Sequence, residues 1–384
     1  MTLSAATTWQ AAEALGASAT EFAPFQDEPA QMKSGTVGKT GFLRLGFELR
    51  GKQTILADLD RRAPYMAQRA LYCDDGVPGL AHVFMITTTG CLLQGDRLAL
   101  EIALGPRAHA HVTSQSATKI HTMDANYAAQ TQTITLGEES YLELLPDPLI
   151  PHRRARYLSD TQISIPASAT LLFSEIIQAG RKHHHPDECF GATLLSIAAT
   201  ASRPNGQLLF TEKLIIDPQR YSMRQTGVMD SFDVFGNVIL CAPKDKAEQI
   251  YARTENDVDL ARGVACGACR LPNDAGLIFK VVGRECAQVK TKIREFWGLV
   301  RKEVTGADLP PPFLWRRNEH GRDRQIISAG TLDALPHNGT VLMLLQISKL
   351  THKESYGDMV MTVIVSVIIW LVAVIVIGSM FGSF

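Results

Sequence analysis

Three groups of residues in this chain have side chains that could do chemistry. The densest is His183, His184, His185, Asp187, Glu188 and Cys189, a run of imidazole, carboxylate and thiolate donors of the kinds that zinc or nickel takes. Neighbours in sequence need not converge on one ion, and a solvated polar loop satisfies the same string. Cys266 and Cys269 form a single C-x-x-C; a structural zinc site needs a second pair or suitably spaced histidines, so this pair reads as small strand residues. The third group is three carboxylates in strand-like surroundings: Asp96 after a Gly-rich turn, Glu175 within LLFSEII, and Glu212 within LLFTEKLII. An acid in a buried strand is costly unless it is paired, hydrated or coordinated. Either each strand turns its acid to solvent, or the three line a polar, water-filled passage of hard oxygen donors. No G-x-S-x-G elbow or H-E-x-x-H helix brings a nucleophile to a base.

The elements that must hold these groups read as mainly β. Gly41 to Ala57 alternates apolar and polar residues across Gly51-Lys52, the pattern of a hairpin. Strand patterns recur at His82–Thr89, Leu98–Leu104, Ala108–Thr113, Gln132–Leu136, Tyr141–Leu145, Thr161–Ile165, Thr170–Ile177, Thr193–Thr200, Leu208–Ile216 and Val238–Cys241, a spacing that predicts stacked antiparallel strands. In Thr87–Leu98, TTTGCLLQGDRL, two glycines bracket an apolar segment, but no Gly-Lys-Ser/Thr follows to make a phosphate-binding loop. Glu143–Tyr157, ELLPDPLIPHRRARY, runs from a strand through Pro146, Pro148 and Pro151, which cannot donate to a ladder, into the basic cluster His152, Arg153, Arg154 and Arg156. Helical periodicity comes late: Lys244–Thr254, then Ala287–Thr305 with an apolar stripe of Val289, Ile293, Phe296, Trp297 and Val300.

Composition bounds the reading. The 384 residues carry a formal net charge of −1, which argues against a nucleic-acid binder, since such proteins sustain a basic surface. The seven cysteines, at 73, 91, 189, 241, 266, 269 and 286, are odd in number and scattered, as in a reduced, cytoplasmic chain. No export signal opens the sequence, and residues 1–35 read as a loose leader of small and polar residues. After Pro310-Pro311-Pro312 and FLWRR, residues 318–358 read as a polar linker. Met359–Phe384 carries no charged side chain and is long enough for a membrane-spanning helix, which needs about 20 apolar residues. Lys349 and Lys353 precede it, so the folded part would stay on the cytoplasmic face, tail-anchored.

Taken in order, the motifs resemble the urease accessory protein UreD family, called UreH in some organisms. TTTGCLLQGDRL is similar to the family's Gly-Gly-x-x-x-Gly-Asp segment, SQSATKIHTM to its Ala-Thr-Lys strand, ELLPDPLIPHRRARY to its Leu-Pro-x-x-x-Ile-Pro segment, and EIIQAGR to its strand ending in Gly-Arg. Trp297 and FLWRR agree, and the resemblance runs over residues 36–317. It implies a stacked-sheet, β-helix-like scaffold that is not an enzyme and holds no tightly bound cofactor. It also implies a UreF-type partner, a UreG-type GTPase and apo-urease, with transient Ni²⁺ passed along Asp96, Glu175 and Glu212 and with Asp75 as a looser match. His184 and Glu188 are the weaker metal candidates. The alternative is a membrane-tethered β-domain metalloenzyme using His183–Cys189.

Overall fold

The computed structural model describes residues 19–27 and 40–310. The linker and the Met359–Phe384 tail lie outside the described residues. Among those described, no helix is long and apolar enough to cross a membrane.

In chain order the strands are β1 (Thr40–Arg50), β2 (Gln53–Arg62), β3 (Tyr65–Ala67), β4 (Ala81–Thr87), β5 (Cys91–Leu92), β6 (Arg97–Leu104), β7 (His109–Ser114), β8 (Thr118–Ile120), β9 (Ala128–Leu136) and β10 (Tyr141–Leu144). There follow β11 (Leu149–Pro151), β12 (Arg156–Ser164), β13 (Thr170–Gln178), β14 (Leu194–Ser202), β15 (Leu208–Ile216), β16 (Val234–Cys241), β17 (Asp257–Asp259), β18 (Val264–Arg270) and β19 (Gly276–Gly283). They form two sheets. A seven-stranded sheet has the order β15-β14-β12-β9-β6-β1-β2, and a twelve-stranded one runs β17-β18-β19-β16-β13-β10-β7-β4-β3, with β5, β8 and β11 off that path.

The β1–β2 hairpin forms as the alternation predicts, closing at Arg50 and Gln53. The middle of each sheet departs from expectation. β1, β6, β9, β12 and β14 pair in parallel, as do β4, β7, β10 and β13. From β6 the chain alternates between sheets, β6 to β7, β9 to β10 and β12 to β13, so like strands stack in register. Parallel strands are covered on both faces and read as near-continuous apolar runs. β13, TLLFSEIIQ, is such a run, with only Glu175 and Gln178 short of full burial.

Between the sheets pack Leu43, Leu45, Phe47, Leu100, Val112, Leu142, Leu144, Leu171, Phe173 and Ile239. The outer face of the larger sheet is covered by the helices Lys244–Arg253 and Cys286–Thr305, the second through Val289, Ile293, Phe296 and Val300 against Leu172, Val238, Phe279 and Val281. Its close approach needs glycine: a Cβ on Gly236 or Gly283 would lie 2.8 or 2.7 Å from Val289. A 3₁₀ turn, Thr20–Phe25, lies on the outer face of the other sheet, with Phe22 fully buried against Tyr127, Leu158 and Leu194. Part of the stretch expected as a loose leader is therefore packed.

Candidate functional site

Side chains alternate along a strand, so Leu171, Phe173 and Glu175 of β13 all point between the sheets. Across the ladder Glu175 pairs with Asn237 of β16, which pairs with Lys280 of β19, giving a row of acid, amide and ammonium on the inner face. Glu212 meets this row from β15, an edge strand of the opposite sheet. It accepts from Asn237 Nδ2 at 3.1 Å and from Lys280 Nζ. The amide's other atom, Asn237 Oδ1, is buried with no partner among the described residues.

Two cavities meet at Glu175. One, of about 70 Å³, is lined also by Tyr65, Gln130, Gln132, Asp147 and Tyr157; the other, of about 60 Å³, is lined by Glu212, Asn237, Lys280, Ile197 and Phe235. A space of this size holds more than one water. Among the described residues nothing hydrogen-bonds the Glu175 carboxyl, and the residue, which lines both cavities, is only partly buried. Burial, and then the nearby Glu212 carboxylate, push its pKa up to about 8. Two acids crowded together in a low-dielectric space favour sharing a proton or a cation.

Asp96 is placed differently. It is fully buried, and its Oδ2 accepts from Leu93 N at 2.8 Å, closing the turn that Gly95 permits at φ 77°. It lines neither cavity. Asp75 is exposed, whereas its neighbour Asp74 is buried. The sequence reading missed Asp147, which lines the first cavity and accepts from Lys290 Nζ at 3.0 Å.

The His183–Cys189 run does not converge. The side chains of His183 and His185 are 81% and 61% exposed, and His184 is exposed as well. Glu188 turns inward to Arg181, 2.5 Å away, and to Arg153 N, and the Arg181 bond holds its carboxyl well below the usual range. Cys189 lies instead against Arg224 and Asp233. Among the described residues no group of three or more His, Cys, Asp or Glu side chains is placed to hold a metal. Cys266 is buried and Cys269 exposed on opposite faces of β18, as small strand residues should be.

A second polar cluster lies under the long helix. Glu143 of β10 accepts from Tyr141 OH at 2.6 Å, Trp297 Nε1 at 2.7 Å, and Arg301 Nε and Nη2 at 2.8 and 2.6 Å, with His111 Nδ1 2.8 Å away. Arg301, fully buried, also reaches Asp74. Burial pulls the Glu143 pKa upward, but the bonds from His111 and Arg301 outweigh it and hold the carboxyl well below its usual range. His82 of β4, beside His111, is 3% exposed with both ring nitrogens unpartnered among the described residues, and burial followed by the His111 charge brings its pKa down to about 4. The signal was present: Arg301 stands four positions after Trp297, on the apolar stripe itself.

Comparison with known proteins identifies the family. The family model described as "UreD urease accessory protein" matches residues 39–316. Urease accessory protein UreD of Photorhabdus laumondii is 53% identical over 307 residues, covering 80% of this chain and 96% of that protein. Its counterpart in Yersinia enterocolitica is 51% identical over 311 residues, covering 79% and 95%. Urease accessory protein UreD 2 of Brucella suis is 51% identical over 297 residues, covering 77% and 98%. With the match spanning both sheets and the long helix that covers the larger one, this chain belongs to the UreD family of urease accessory proteins.

Proposed function

We propose that this chain is a non-enzymatic scaffold of urease maturation that hands Ni²⁺ toward apo-urease through the space between its sheets. The observation that carries the reading is Glu175, a carboxyl with no hydrogen bond among the described residues, set where two cavities meet, each roomy enough for more than one water, and facing a second carboxylate. Carboxylate and amide oxygens hold a divalent ion loosely enough to exchange, where a closed Cys/His site would trap it. Nickel is cargo here, with no tightly bound cofactor. A UreF-type accessory protein would dock on the scaffold and recruit a UreG-type GTPase, which supplies the hydrolysis. The Met359–Phe384 tail would tether the assembly to the cytoplasmic face of a membrane.

Cells lacking the gene, complemented with variants and assayed for urease-bound nickel, test this. Glu175→Gln and Glu212→Gln should each lower nickel content several-fold with the protein folded and abundant. Asp96→Asn should act mainly through stability, because its carboxylate closes a turn. Wild-type nickel in both glutamate variants would remove the passage. In the same assay a chain ending near residue 325 should fail if the tail tethers; full rescue by it makes the tail dispensable.

A further inference from the structure

In each cavity one carboxylate is already held by a lysine. Glu212 accepts from Lys280 and Asp147 from Lys290, while Glu175, common to both cavities, has no cationic partner among the described residues. The two ammonium arms are only partly buried, with side-chain exposures of 49% for Lys280 and 35% for Lys290. An ion pair this close to solvent is weak, and its lysine can swing outward. Asn237, 8% exposed, also lines the second cavity, and its Oδ1 has no partner among the described residues. A carboxylate and an unsatisfied amide oxygen, beside a second carboxylate, form a donor set suited to a hard divalent cation, and here an ammonium stands against one member of it.

We propose that Lys280, and Lys290 at the first cavity, are tethered cations that occupy the flanking carboxylates until a divalent ion displaces them. This rests on the nickel-passage reading. The exchange selects by charge. A potassium ion has the same charge as the ammonium it would replace and gains nothing by the swap, whereas a doubly charged ion doubles the Coulomb attraction at the same distance. Lysine suits such a gate better than arginine, whose planar fork would grip both carboxylate oxygens and release them less readily.

Nickel chloride titrated calorimetrically into the purified full chain at constant ionic strength tests the gate. Lys280→Met should bind nickel about tenfold more tightly than wild type, because the competing charge is gone. Lys280→Arg should bind more weakly. Replacing a tetramethylammonium salt by potassium should weaken nickel binding in Lys280→Met and leave wild type unchanged. Equal affinities in all three proteins, with unchanged circular dichroism and melting, would overturn the gate. Should Lys280→Met fail to fold, Lys280→Arg and Lys290→Met decide the matter by the same criteria. If the glutamate variants lower urease nickel while the lysine variants leave affinity unchanged, the passage stands without its gate; if the glutamate variants leave urease nickel intact, the passage itself falls.

Discussion

Glu143 and Glu175 are both acids inside leucine-rich strands, and the fold treats them oppositely. Glu143 is saturated by five donors and locked beneath a helix, whereas Glu175 has none among the described residues. A buried ion pair contributes little on balance, but removing one partner strands a charge and costs about 3–5 kcal/mol. Arg301→Met should therefore lower unfolding stability by about that amount, read as a shift of the urea midpoint. A loss below ~1 kcal/mol would mean that Glu143 and Asp74 find other partners, on the scale of an ordinary hydrogen bond. The glutamates at 175 and 212 were legible in the sequence because a charge in an apolar run is conspicuous. Asp147, Asn237 and Lys280 were not, because their roles depend on register between strands far apart in the chain, such as Asn237 opposite both Glu175 and Lys280. The histidine run misled for the converse reason: a string of ligand types says nothing about where each side chain turns.

Among the elements, the long helix was the easiest to read and the parallel ladders the hardest. Its stripe predicts the buried Val289, Ile293, Phe296 and Val300, and Glu285 and Gln288 close a capping box at its start, with Gly306 in the left-handed region at its end. What the stripe cannot reveal is how closely the helix lies on the sheet, which Gly236 and Gly283 decide from other strands. Gly236→Val would drive a branched side chain into Val289 and Ile293, and over-packing of this kind costs roughly 1–3 kcal/mol. Thermal unfolding should show the lower midpoint, and a second substitution, Val289→Ala, should recover part of it. Recovery failing altogether would place the clash elsewhere. Strand direction left no comparable mark: both hairpins and sheet-to-sheet crossings are short, and turn residues punctuate them alike.

For the molecule as a whole, two histidines should make the fold loosen in acid above the range in which ordinary carboxylates protonate. They outweigh Glu175, whose pKa, raised from 4.5 to about 8, works the other way over part of the same window. Burial first, aided by His111 at His82 and by Arg181 at His152, lowers both histidine pKa values from 6.5 to about 4. The unfolded chain takes up these protons as the pH falls below 6.5, while the folded chain refuses them until about 4. Unfolding then binds protons, so stability is full above that window, declines through it, and is wholly lost to this effect below it. The size is up to about 3 kcal/mol for each histidine. Urea midpoints measured across the window should fall with pH in wild type and fall less in His82→Phe; equal slopes would sink the assignment. Glu143, held below its usual range, adds a further loss only at lower pH. The mainly β character and the helical cover could be read from the sequence, but the winding between sheets could not, and that winding has a kinetic consequence. Arg97 pairs with Ala129, Tyr157 with Ala128, and Thr40 with Arg97, so each central ladder waits for an intervening strand to be laid down in the other sheet. Chain entropy is spent before such contacts reward it. The β1–β2 and β14–β15 hairpins and the antiparallel β17–β18–β19 run can form from near neighbours, so the parallel centre, with the Glu175 cavities beside it, should be the slow step in the birth of each molecule.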